Sequence, residues 1–165
     1  MHIIVLGVGN ILLTDEGVGV RAIEELDRRY DLPPDVTLLD GGTSAMEMLD
    51  DLAHADFLII ADCVRAGLEP GSLIRLADDE VPALLRLKMS PHQIGLSDVL
   101  ATLTLSGESP KRIVVHGVEP ASLATAMALS PIVARRLPEL VAALADELRA
   151  AGVALTPRIQ PETTA

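Results

Sequence analysis

Four carboxylates and one imidazole stand at points of this chain where a fold could set them to chemical work. Asp15 and Glu16 lie in GVGNILLTDEGVGVR (residues 7–21), directly after the apolar run HIIVL; Asp40 ends VTLLD, Asp62 falls in LIIADC, and His92 in SPHQIG. A glycine turn leaving a strand is the usual cradle for phosphate, and GxGxxG is its dinucleotide form. Gly7 and Gly9 fit that pattern, but Leu12 stands at the third glycine position. Two acids where a pyrophosphate should rest would cost several kcal/mol unless a cation intervened. Carboxylate oxygens together with an imidazole suit a first-row transition ion better than magnesium. Two carboxylates and one histidine also leave coordination positions open.

These residues sit at the ends of short apolar runs, and that placement is what would gather them. Residues 2–8 (HIIVLGV), 36–40 (VTLLD), 56–63 (DFLIIADC), 72–77 (SLIRLA) and 112–118 (RIVVHGV) read as five strands. Between them, Val18, Ala22, Ile23 and Leu26 recur at helical spacing, giving an amphipathic helix of about four turns stopped by Pro33-Pro34. Ser44 and Glu47 form a capping box for a helix through MEMLDDLAH. VPALLRL reads as a short helix, SPHQIG as a loop, and residues 96–105 as a further helix. The last helix runs from about Pro131 to Ala151, with proline in its first turn and Gly152 at its C-cap. Alternation of strand and helix predicts a single three-layer α/β/α domain over residues 1–157, with a mostly parallel, twisted five-stranded sheet, and a mobile tail over 158–165. In such sheets sites form outside the carboxyl ends of the strands, where the acids and the histidine loop converge.

Composition narrows the function. The formal charge of −11 repels nucleic acid, and one Phe, one Tyr and no Trp leave no base-stacking platform. With 49% hydrophobic residues but 1% aromatics, the core must be aliphatic. No apolar run approaches the roughly 20 residues that cross a bilayer, and the start of the chain lacks a basic n-region. A cytoplasmic monomer without membrane or nucleic-acid partners is expected. Cys63, the lone cysteine, adjoins Asp62, and strand alternation turns it toward a helix-covered layer, which disfavours a nucleophile paired with His116. His2, His54 and His116 read as packing or surface residues, Asp15 as a cap or supporting acid, and Gly41-Gly42 as a turn or hinge.

GVGNILLTDEGVGVR, LLDGGT, LIIADC and SPHQIGLSDVL, in this order over residues 1 to about 157, resemble the hydrogenase maturation endopeptidases. The resemblance implies a five-stranded α/β sandwich. It also implies removal of a C-terminal extension from the large-subunit precursor of a nickel–iron hydrogenase after metal insertion. It carries the nickel ligands onto Glu16, Asp62 and His92, the nickel being presented by the substrate, and places Asp40 beside the cleft as an assisting acid. Hydrolysis has two open routes: a metal-polarised carbonyl or water, and a carboxylate base, Asp40 or Asp62; the catalytic set is Asp40, Asp62 and Glu16. Glu16 and His92 are expected outside the core. Two other functions fit parts of the chain: a nucleotide-binding oxidoreductase using Gly7, Gly9 and Asp40, and a non-catalytic chaperone of hydrogenase precursor.

Overall fold

The computed structural model describes residues 1–42, 45–81 and 94–159. Its centre is a sheet of five strands in the order β3-β1-β4-β6-β5: β1 Ile3–Val8, β3 Val36–Gly42, β4 Phe57–Cys63, β5 Leu73–Ala77 and β6 Arg112–Val118. β1 and β4 are buried along their whole length. Continuous apolar runs such as IIVLGV and FLIIADC are what a strand covered on both faces requires. β3–β1, β1–β4 and β4–β6 pair in parallel, whereas β5 joins β6 antiparallel. The short GLEPG turn explains the reversal: it folds SLIRLA straight back, too short for a parallel crossover.

Helices cover both faces. On one, α1 (Val18–Arg29) and the long helix α4 (Pro131–Ala150) bury Val18, Leu26, Val141 and Leu144 against Ile3, Val5 and Ile59. On the other, α2 (Leu49–Ala53) and α3 (Ile94–Ser106) set Leu52 and Leu103 against Ile4, Leu58 and Ile60. Alternate residues of each strand feed the two cores, as the two-residue strand period demands. Among the described residues no helix is long and apolar enough to cross a membrane.

Several elements differ from the sequence expectation. α1 ends at Arg29, before the proline pair, because Tyr30–Asp31 (β2) leaves it extended and pairs antiparallel with Thr156–Pro157 (β7). Arg158 reinforces this two-stranded ribbon, its backbone N–H donating to the Arg29 carbonyl at 2.8 Å, so the chain is tied down one residue beyond the expected boundary. The helix expected through MEMLDDLAH is a 3-10 turn, Ala45–Met48, followed by the five-residue α2; Ser44 lies outside the described residues. The short helix expected in VPALLRL also falls outside them, except for Val81, which is buried. β6 matches its expected bounds, and Gly152 follows α4 with φ +90°.

Candidate active site

The chain leaves β1 for β3 on one side and then returns past β1 to β4 on the other. The carboxyl ends of β1 and β4 therefore form the switch point of the sheet, where open α/β sheets build their sites. The turn that carries Glu16 and the Asp62 carboxylate both lie there, on either side of Gly9.

Glycine makes the approach possible. Gly9, just past β1, has φ +127°, and a Cβ on it would lie 1.8 Å from the backbone oxygen of Glu16 and 3.8 Å from Asp62 Oδ1. The 3-10 turn Thr14–Gly17 thus sits directly over the end of β1, with the Asp62 carboxylate alongside. Gly19 lets α1 follow at the same close range: a Cβ there would meet the Ala61 carbonyl oxygen at 2.1 Å. Close helix–strand packing, the task of the third glycine in a dinucleotide loop, falls here to a residue inside the helix.

Glu16 is 1% exposed and Asp62 fully buried. The expectation that Glu16 lies outside the core is therefore corrected: the turn tucks it beneath the loops above the sheet, at the amino end of α1, where negative charge is favoured. Asp62 Oδ1 accepts the Cys63 N–H at 2.7 Å, which fixes the carboxylate at the strand end. Cys63 itself points into the core under α1 and α4, as alternation requires. His92, the expected third ligand, lies outside the described residues. Among the described residues no set of three metal-type donors gathers.

Asp40 occupies a different environment. It is exposed at the carboxyl end of β3 and lines an opening of ≈ 280 Å³ with Gly9, Asn10, Ile11, Leu12 and Gly42. Gly42 has φ +48°, so of the glycine pair it is the second that needs the freedom of glycine. Its carbonyl accepts the Gly9 N–H at 2.9 Å, tying the Asp40 loop to the loop that carries Glu16.

Asp15 has a role that sequence reasoning missed. Buried completely, its carboxylate accepts the backbone N–H of Ala121 (2.8 Å), Ser122 (3.0 Å) and Ser130 (2.8 Å), and the Ser130 hydroxyl (2.8 Å). It is the anchor of the irregular 119–130 segment. Thr14, at φ +50°, adds to the clasp: its N–H donates to the Ala126 carbonyl at 2.9 Å, and its hydroxyl to that of Ala124. No local motif announces such a contact, because the donors lie more than 100 residues away. Glu119, at the end of β6, is also a clasp, accepting the Ala66 N–H at 2.8 Å.

Away from the crevice, His116 and Glu147 form a buried pair, Nε2 to Oε1 3.1 Å, that Arg75 joins from the surface. Burial holds the His116 pKa below its ordinary value, partly offset by the Glu147 charge. His116 is thus a packing residue with an ionic partner.

Comparison with known proteins agrees with this architecture. The hydrogenase maturation protease family model matches residues 20–147. The chain is 49% identical over 159 residues to hydrogenase 2 maturation protease of Escherichia coli (strain K12), covering 96% of this chain and 97% of that protein. It is 42% identical over 157 residues to hydrogenase expression/formation protein HupD of Rhodobacter capsulatus, covering 94% and 75%. The solved hydrogenase maturating endopeptidase HybD from E. coli superposes with a TM-score of 0.92 at 49% identity, over 96% of this chain and 98% of that one. With the family model spanning most of the chain and the fold matched along nearly its whole length, this protein belongs to the hydrogenase maturation proteases, a family of peptidases.

Proposed function

We propose that this protein removes the C-terminal extension of a nickel–iron hydrogenase large-subunit precursor after nickel has been inserted, and that it senses the nickel through Glu16, Asp62 and His92. The observation that carries the reading is that the Glu16 backbone and the Asp62 carboxylate both lie against Gly9 at the switch point of the sheet, with both acids buried. Oxygen donors with an imidazole fit nickel.

The nickel belongs to the substrate. An incomplete donor set on the protease leaves room for the precursor's own ligands, so the ion bridges the two proteins and aligns the peptide. Selectivity then follows from the bridging ion. Asp40 is exposed, whereas Glu16 and Asp62 are buried; this contrast supports Asp40 as the general base that activates water, with the other two acids orienting the metal-bearing segment. Nickel, when held there, supplies Lewis-acid polarisation.

The test is the mass of the precursor after mixing with purified protein. Nickel-loaded precursor should lose its extension and metal-free precursor should not. Binding without a mass change would make the protein a chaperone, and NAD binding independent of nickel would make it a nucleotide-binding oxidoreductase.

A further inference from the structure

Among the described residues no strand pairs with the outer side of β3, which is an edge strand of the sheet. A groove of ≈ 520 Å³ runs along it, floored by Val20, Ile23 and Leu38 and rimmed by Glu24, Asp27 and Arg158. It shares Val20 and Asp40 with the opening above Gly9, so the groove adjoins the candidate active site at Asp40.

The pairing register determines which backbone groups face that groove. The Ile3 N–H donates to the Asp35 carbonyl, and Ile3 lies opposite Val36. In a parallel ladder this turns the amides of Thr37 and Leu39 toward β1 and those of Leu38 and Asp40 outward. The outward row is the template that an extended chain needs to add a strand.

We propose that the C-terminal extension of the precursor is held as an added strand, antiparallel to β3, with its N–H and C=O groups paired to Leu38 and Asp40. This rests on the processing function proposed above. The direction follows from the chemistry: the metal-bearing body of the substrate precedes the cut and sits at the carboxyl ends of the strands. The extension follows the cut, so it must run away from Asp40 toward the amino end of β3. Val36 to Asp40 accommodates about five extended residues at roughly 3.3 Å each. Alternate side chains of the extension rest on Val20, Ile23 and Leu38. The strand serves as a ruler that holds the scissile bond beside Asp40.

Two measurements test the assignment. In the first, proline replaces each of the first six residues after the cut in turn, in intact nickel-loaded precursor, and processing is timed. A residue that pairs with Leu38 or Asp40 must donate its N–H, so processing should slow about tenfold at every second position and little at those between. In the second, amide exchange of the labelled protein is followed with a saturating synthetic peptide of the extension. The Leu38 and Asp40 amides should slow about tenfold, the others of β3 much less. Uniform sensitivity to proline would overturn the proposal. Alternation without protection of Leu38 and Asp40 would put the strand on another edge and overturn it too. Unmodified precursor left uncut would instead show that the processing function itself is wrong.

Discussion

Asp15 and Ser130 stand 115 residues apart in sequence and are joined by two hydrogen bonds, from the backbone N–H and from the hydroxyl of Ser130, each 2.8 Å. Through this link the turn that carries Glu16 and the start of α4 are one rigid piece. The link binds stability and activity to the same carboxylate.

Replacing the buried Asp15 by alanine removes the acceptor shared by the backbone N–H groups of Ala121, Ser122 and Ser130 and the Ser130 hydroxyl. We expect a loss of about 2–4 kcal/mol, read as a lower urea midpoint with an unchanged slope. Processing should fall as well, because the neighbouring Glu16 is no longer held.

Gly19 and Gly9 separate packing from site geometry. Gly19→Ala places a methyl against the backbone of Ala61 and Val8, which no rotamer change can relieve. The protein should be severely destabilised in thermal melts. Gly9→Ala meets the Glu16 carbonyl and demands a positive φ of alanine, so processing should be lost in whatever fraction remains folded.

Asp40 and the two buried acids should fail differently. Asp40→Asn is expected to lower the processing rate about 10²–10⁴-fold while leaving precursor binding intact. Glu16→Gln and Asp62→Asn should instead abolish the preference for nickel-loaded over metal-free precursor. Pull-down and timed mass spectrometry on each variant distinguish the two patterns.

His116 makes stability depend on pH. Its pKa is held below the ordinary value, chiefly by burial, so below about pH 6.5 the unfolded chain binds more protons than the folded one. Stability from this residue is therefore complete above the unfolded pKa and is lost as pH falls toward the folded one. Glu147, whose pKa is lowered by Arg75 and His116 against the cost of burial, adds a loss at still lower pH. Melting temperatures of His116→Gln should fall less than those of the natural protein between pH 7 and the folded pKa of His116. An equal fall would remove His116 as the cause.

Much of this architecture could be read from the chain before any coordinates, for identifiable reasons. Strands buried on both faces require unbroken aliphatic runs, so IIVLGV, FLIIADC and RIVVHGV declare themselves. The topology then sets Asp40 and Asp62 at the carboxyl ends of their strands, and Asp62 and Cys63 take opposite faces as alternation demands. What escaped was set by distance. The antiparallel return of β5 depends on turn length, the β2–β7 ribbon joins residues far apart in sequence, and the Asp15 clasp engages donors in a segment of no regular structure. Glu16, which closes the polar triplet Thr14-Asp15-Glu16, is expected outside the core on sequence alone; its burial comes from the 3-10 turn folding onto Gly9, a consequence of tertiary packing. His92 remains an expectation of the sequence.

The central claim is that substrate nickel gains oxygen ligands from Glu16 and Asp62. X-ray absorption at the nickel edge, recorded on nickel-loaded precursor alone and in complex with the protein slowed by Asp40→Asn, measures this directly. Added oxygen scattering in the complex, absent when Glu16→Gln and Asp62→Asn are combined with Asp40→Asn, is the predicted result. A nickel environment unchanged by a bound protease would contradict it.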